Sequence, residues 1–133
     1  MFAEYDYSQF PNVRVILNNI DNEEDFDKFL QEWLKLYIQQ KDYNFIFDTR
    51  KVSSIPIKYS FRMAEFIKEL KKQEYHYLKK SIILIDNNFV KTILNFILNL
   101  QSPIAPVYLV TNEEELNLVL NNGNISNIQC IMP

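Results

Sequence analysis

The chain of 133 residues contains one glycine, one cysteine and one histidine, and each shortage excludes a kind of site. Loops that cradle phosphate groups use glycine where the backbone must approach the ligand closely, and the single glycine, Gly123, lies after the last predicted helix. A nucleotide site of the Rossmann or Walker kind is therefore excluded. Because Cys130 has no second cysteine to pair with, no disulfide forms within the chain, as is usual in a reducing compartment.

The sequence also lacks most of the residues from which catalytic and metal-binding sites are built. A Ser-His-Asp or Cys-His set would have to use His76, which lies at the end of the second predicted helix, where a surface position is the simpler interpretation. Cys130 has no neighbours that indicate an activated thiolate, and one histidine with one cysteine does not make a zinc site. The sequence therefore predicts no catalytic residues, no metal and no cofactor.

The charge and the hydrophobic runs exclude two further classes. The net charge is -3 and the isoelectric point is about 5.2, whereas a nucleic-acid-binding protein usually carries a basic excess, so we expect no nucleic-acid partner. The longest apolar run, residues 89–100, is interrupted by Lys91, Asn95 and Asn99 and is shorter than the ~20 residues that span a bilayer. We expect a soluble, cytoplasmic domain, and peripheral membrane contact stays open.

Hydrophobic residues make up 47% of the chain and aromatic residues 14%, enough for the core of one domain. Two period-two segments come first, and helical and strand patterns then alternate in the order ββαβαβαβα. This order predicts a mostly parallel five-stranded sheet with four helices and right-handed crossovers. The domain would occupy residues 1–123, with 124–133 as a tail or a short extra strand. The predicted strands cover 3–7, 13–17, 43–47, 81–85 and 107–110.

Polar residues mark the beginning of each predicted helix. Asp21 with Glu24, and Thr111 with Glu114, have the spacing of capping boxes, and Gly123 has the position of a C′ residue after the last helix. The candidate caps of the second and third helices are Ser53, Ser54, Asp86, Asn87 and Asn88.

Apolar residues at helical spacing predict which side of each helix is buried. The third helix is the most apolar, and it could cover a ligand cavity. The predicted buried residues are Phe26, Phe29, Leu30, Trp33, Leu34 and Tyr37 on the first helix, Ile57, Phe61, Ala64, Ile67 and Leu70 on the second, and Phe89, Val90, Ile93, Leu94, Ile97 and Leu100 on the third.

The order of elements, with a strand and loop at residues 45–52 and a capped last helix beginning at 111–116, resembles the STAS domain. That is the fold of bacterial anti-anti-sigma factors and of the cytosolic tails of sulfate transporters. The CRAL-TRIO lipid-binding fold, of Sec14 type, is similar as well. The likeness covers nearly the whole chain, and it implies a non-catalytic module that binds a protein partner.

The anti-anti-sigma family carries an Asp-Ser-Ser-Gly type motif at the second helix, where its serine is phosphorylated. In this chain the matching residues, 54–58, read Ser-Ile-Pro-Ile-Lys, without the Asp-Ser pair and without glycine. Ser53 and Ser54 are the nearest hydroxyls. They could accept a phosphate or help to hold an anion at the helix start, although helix capping is the simpler interpretation.

Two carboxylates, Asp48 and Asp86, follow neighbouring predicted strands at the edge where α/β proteins usually bind ligands. They could hold Mg²⁺ or act as acid and base, and the simpler interpretation is that they cap and solubilise strand ends. The predicted binding residues for a partner are Ser53, Ser54, Lys58, Asp86, Asn87 and Asn88.

Three functions remain open at this point. The first is a STAS-like interaction or regulatory module with a protein partner, with a homodimer through the first hairpin as a further option. The alternative is a small lipid- or ligand-binding domain of CRAL-TRIO type. The third and weakest is a hydrolase that uses Asp48 and Asp86.

Overall fold

The computed structural model describes all 133 residues, and its strands and helices alternate largely as the hydrophobic pattern predicts. The chain forms six strands and four helices. In order they are β1 (Ala3–Asp6), β2 (Asn12–Leu17), α1 (Glu23–Ile38), β3 (Tyr43–Asp48), α2 (Ile57–Leu70), β4 (Leu78–Leu84), α3 (Asn88–Leu100), β5 (Val107–Val110), α4 (Glu113–Leu120) and β6 (Gln129–Ile131).

All six strands belong to one sheet, in the order β1-β2-β3-β4-β5-β6. Strands β2 to β5 are parallel, and the two edge strands are antiparallel to their neighbours. The α/β class and the mostly parallel sheet are confirmed. The sheet has six strands rather than five, because residues 129–131 form the short extra strand that was one of the two options for the C-terminal segment; it pairs with β5 and places Cys130 opposite Tyr108.

The two faces of the sheet are covered unequally. Side chains alternate along each strand, so Phe45, Phe47 and Ile83 contribute to a large core beneath α1, α2 and α3. Ile46 and Ile82 point the other way and pack with α4 in a smaller core. We call the side of the sheet that carries the large core the three-helix face and the side that carries the smaller core the α4 face.

The N-terminal caps of α1 and α4 lie one residue later than predicted. Asn22 and Asn112 are the N-caps, and their side chains accept hydrogen bonds from the backbone N–H of Asp25 and Glu115. Asn competes well with Asp and Thr for this position because its short side chain reaches the N–H group three residues on. The capping boxes predicted from Asp21 and Thr111 are therefore wrong in register.

Helix α4 ends in a Schellman motif whose left-handed residue is Asn122, with φ of 55°. The N–H of Gly123 bonds to the carbonyl of Leu118 at 2.8 Å, and that of Asn122 bonds to Val119 at 3.4 Å. Gly123 is thus the residue after C′, which corrects the prediction by one position. Asn occupies the C′ site because its side chain tolerates the left-handed region better than most.

The predicted buried sides of the helices are partly wrong. On α1 the structure buries Leu36 and exposes Leu34. On α2 it buries Tyr59 and Ser60, whereas Ile57 and Phe61 are exposed, because the inward side of this helix runs through Ser60, Ala64 and Ile67. On α3 the differences are larger and concern the site described next.

Candidate functional site

The serines predicted to begin α2 serve a different purpose. The side-chain carbonyl of Asn19 accepts hydrogen bonds from the backbone N–H groups of Ser53, at 2.8 Å, and Ser54, at 3.2 Å. The amide of Asn19 donates to the Ser53 hydroxyl at 2.9 Å. Pro56 is the N-cap of α2, without a side-chain cap. The two serines therefore fasten the loop before α2 to the loop before α1, and capping by them is wrong.

Lys58 belongs to an ion-pair network between α1 and α2. Its ammonium group lies 2.6 Å from a carboxylate oxygen of Glu23, which also pairs with Arg62 at 2.7 Å. A guanidinium nitrogen of Arg62 lies 2.5 Å from a carboxylate oxygen of Asp27. The hydrogen bond from Lys58 is the main cause that lowers the pKa of the Glu23 carboxyl. Lys58 is thus engaged within the chain.

The three polar residues after β4 make local bonds at the start of α3. Asn87 is the N-cap, and its side-chain oxygen accepts from the backbone N–H of Val90 at 3.0 Å. Its amide group donates to Asp86 at 3.1 Å. Asn88 is the first helical residue, and its carbonyl accepts from the Thr92 hydroxyl at 2.9 Å. Capping of α3 by Asn87 is confirmed.

Asp48 lies in a closed network of four charged side chains on the α4 face. Arg50 donates to its two oxygens at 3.0 Å and 2.8 Å, and Arg14 donates at 3.2 Å. Glu113 completes the network at 2.7 Å from Arg14. The bonds from Arg50 are the main reason that the pKa of Asp48 falls to about 2. Two arginines and two carboxylates balance, so the network offers no free charge to a ligand.

The remaining titratable candidates are not assembled into a site. The Tyr37 hydroxyl lies 3.3 Å from Nδ1 of half-buried His76, and Cys130 is exposed on β6. No group of three or more histidine, cysteine or acidic side chains is placed to hold a metal ion.

The feature that can hold a ligand is an apolar cavity between the three-helix face and the helices above it. Its volume is about 160 Å³, and 21 of its 25 lining residues are hydrophobic. Ile83 and Val107 belong to its floor on β4 and β5, and Ile93, Leu94 and Ile97 come from α3. A mostly apolar cavity with a few polar groups is the usual form of a small-molecule site.

Helix α3 is the most apolar of the four helices, yet Val90 is its only buried residue. Ile93, Leu94 and Ile97 are half-buried over the cavity. Phe89 and Leu100, which the sequence predicts as buried, are 38% and 46% exposed. The prediction of a fully buried side is therefore wrong for α3: Phe89 and Leu100 lie outside the cavity lining, and the α3 residues that line it are mostly half-buried.

Four hydroxyl-bearing residues line the cavity, namely Thr49, Tyr59, Ser60 and Ser81, and they differ in their surroundings. Thr49 donates to the carbonyl of Leu84 at 2.8 Å. Ser81 lies on β4 in register with Phe45 and Val107, so its side chain shares their face. Ser60, on α2, is 1% exposed and its hydroxyl has no hydrogen-bond partner. The hydroxyl of Ser60 and the indole N–H of Trp33 are therefore the buried lining groups without a hydrogen-bond partner of ordinary geometry.

Sequence reasoning anticipated a cavity under α3 but missed the residues of α2 and β4 that shape it. In the sequence Ser81 is only the first residue of a predicted strand, and Ser60 has no predicted role. A usable signal did exist, since Ser60 lies four and seven residues before Ala64 and Ile67, at the spacing of one helix face. A small residue at such a position leaves room in the core.

No helix in the chain combines the length and the apolar composition that crossing a membrane requires. Comparison of the chain with protein-family models, with curated proteins and with solved structures finds no match in any of the three.

Proposed function

We propose that this domain binds a small apolar molecule in the cavity beneath α3. The observation that carries the proposal is the 160 Å³ apolar cavity roofed by a helix whose apolar residues are only half-buried. Apolar surface that a ligand covers is removed from water, which is favourable by roughly 25 cal/mol per Å². A ligand that covers the apolar lining would therefore stabilise the domain.

The volume of the cavity limits the size of the ligand that it can hold. Drug-sized ligands occupy roughly 300–1,000 Å³, whereas a cavity of about 150 Å³ has been found to bind benzene. At about 160 Å³ this cavity suits one aromatic ring or a short aliphatic segment. The proposal therefore keeps the ligand-binding alternative that the CRAL-TRIO likeness implies, with a far smaller ligand than a whole lipid.

Toluene is a suitable probe because it consists of seven non-hydrogen atoms and has no polar group. For a ligand of this size we expect a binding free energy of roughly 4–5.5 kcal/mol, which corresponds to a dissociation constant between about 0.1 and 1 mM. The experiment is a calorimetric titration of the full chain with toluene.

Two cavity-filling variants and one control make the titration specific. Ser81→Leu adds bulk at the floor, and Ala105→Val adds a smaller volume at another lining residue, in case the larger change prevents folding. Ser126→Leu makes the same substitution at an exposed position. We expect the wild type and Ser126→Leu to bind toluene alike and Ala105→Val to bind it at least fivefold more weakly. Equal binding by all variants, or no binding by the wild type, would contradict the proposal.

The interaction module is a second candidate, and one observation favours it. Ile57 and Phe61 on α2 are 61% and 52% exposed, and the ring of Phe61 contacts that of Phe96 on α3 at a centroid distance of 5.5 Å. This apolar strip could pack against the same strip of a second copy across a two-fold axis. A second copy of the chain is therefore the partner that we propose for it.

The test is sedimentation equilibrium over a range of concentrations. We expect the wild type to dimerise and Phe61→Asp to remain monomeric. Leu34→Asp, at an exposed apolar position of α1, is the matched control and should dimerise like the wild type. A wild-type chain that stays monomeric at every concentration would contradict the proposed dimer.

A further inference from the structure

The Ser60 hydroxyl is the unusual group in the cavity. Buried polar groups in folded proteins nearly always have a hydrogen-bond partner. A serine within a helix can also bond to a carbonyl one turn earlier, yet Ser60 has no partner of either kind. Alanine or valine would avoid this cost at the same position. The unsatisfied hydroxyl therefore calls for a partner that comes from outside the chain.

Thr49, Trp33 and Tyr43 have polar neighbours within the chain. The Thr49 hydroxyl already donates to Leu84. Trp33 Nε1 and Tyr43 Oη are the two further buried atoms without a bond of ordinary geometry. They lie close enough together that the Trp33 indole lowers the pKa of Tyr43, although burial raises that pKa overall. Ser60 is thus the one lining residue with a fully buried hydroxyl that has no hydrogen-bond partner in the chain.

We infer that the ligand of this cavity carries one hydrogen-bonding oxygen on an otherwise apolar body, and that Ser60 recognises that oxygen. The ligand class is a small phenol, alcohol or carbonyl compound with one ring or a short chain. This inference rests on the proposed function, because it concerns the same cavity. The Ser60 hydroxyl can both donate and accept, so it suits each of these oxygens.

The test compares toluene with phenol, two molecules of nearly the same shape that differ in a methyl and a hydroxyl group. In a purely apolar cavity phenol binds more weakly than toluene, because its hydroxyl loses water and gains no partner. With Ser60 present, that loss is offset. We expect Ser60→Ala to weaken phenol binding by about five- to tenfold relative to toluene.

Thr49→Val is the matched control. It removes a hydroxyl from another lining residue while keeping the shape of the side chain, and that hydroxyl is already bonded to Leu84. The ratio of phenol to toluene affinity should therefore be the same in Thr49→Val as in the wild type. Ser60→Ala loses only an unsatisfied group, so its folding is not at risk.

The outcomes separate this inference from the function on which it rests. If toluene binds the wild type and the ratio is unchanged by Ser60→Ala, the role of Ser60 is wrong and the apolar cavity site stands. If neither molecule binds the wild type, the proposed function fails and the inference fails with it. A ratio that falls in Ser60→Ala and stays constant in Thr49→Val supports both.

Discussion

The α1 side and the α3 side of the three-helix face are built from apolar residues, but they are packed in opposite ways. Under α1, Phe45 is completely buried, and its ring lies 4.9 Å from Trp33, 5.2 Å from Tyr43 and 4.6 Å from Phe47, measured between centroids. Under α3, aliphatic side chains and small residues border a cavity of about 160 Å³, which Trp33 and Phe47 reach only from its α1 side.

The difference shows that hydrophobic composition does not by itself decide burial. Helix α1 is nearly balanced between polar and apolar residues and buries five side chains, whereas the far more apolar α3 buries one. Aromatic rings from α1 and β3 are large enough to fill the space between helix and sheet. Ser60, Ser81 and Ala105 are too small to do so on the other side.

The largest expected effect contrasts core substitutions on the two sides. Phe45→Ala removes a fully buried ring and should lower the free energy of unfolding by about 3–5 kcal/mol. Leu94→Ala removes a half-buried side chain that already borders a void, and we expect a loss below about 2 kcal/mol. Urea denaturation measures both. Equal losses would show that the two sides are packed alike.

A smaller effect on the free energy of unfolding is expected from Asp48. This residue lies on the α4 face, so it is independent of the packing under α1 and α3. Its pKa in the folded state, about 2, is below the ordinary value of 3.8. The carboxylate therefore contributes stability above pH 4, and that contribution disappears as the pH falls from about 4 to 2. Because its arginine partners are partly exposed to solvent, we expect about 1 kcal/mol.

The measurement is urea denaturation of the wild type and Asp48→Asn at several pH values. The variant should be less stable than the wild type at pH 6, and the gap should close by pH 2. A gap that does not change with pH would mean that the bonds between Asp48 and the arginines do not depend on its charge.

The smallest expected effect on stability concerns the N-caps of α1 and α3, which are both asparagine. Asn22 caps α1 and Asn87 caps α3, each through a side-chain bond to the N–H group three residues on. Replacement by alanine should cost about 1 kcal/mol in either helix. Hydrogen exchange should report the cost of Asn22→Ala throughout the domain and that of Asn87→Ala mainly within α3, since α3 can open without exposing the aromatic core. Domain-wide loss of protection in both variants would contradict this difference.

The agreement between predicted and observed burial also differs between α1 and α3. On α1 the helical spacing of Phe26, Phe29 and Trp33 predicts their burial correctly, although the same pattern also places the exposed Leu34 inside. For α3 the same pattern places Phe89 and Leu100 inside, although both lie in the terminal turns of the helix and are exposed. Helix caps were displaced by one residue wherever an Asn followed the predicted Asp or Thr, since several polar residues in succession can each cap.

The cavity could be anticipated only in outline. Its volume depends on side chains from α1, α2, α3, β4 and β5 together, and their relative positions are not contained in any local pattern. The unsatisfied hydroxyl of Ser60 is a property of the folded structure alone. The binding surface predicted around Ser53, Ser54, Lys58, Asp86, Asn87 and Asn88 stays a prediction, although the structure gives most of these side chains partners within the chain.

The most direct test of the account is a methyl NMR titration of the wild-type chain with toluene. Ile83, Ile93 and Leu94 line the cavity, whereas Ile46, Ile82 and Leu84 lie in the small core of the α4 face and serve as an internal control. We predict saturable shifts of the first three residues, with a midpoint between about 0.1 and 1 mM, while the control methyls stay in place. Absence of shifts up to the solubility of toluene, or equal shifts on both faces of the sheet, would contradict the claim that α3 covers a binding cavity.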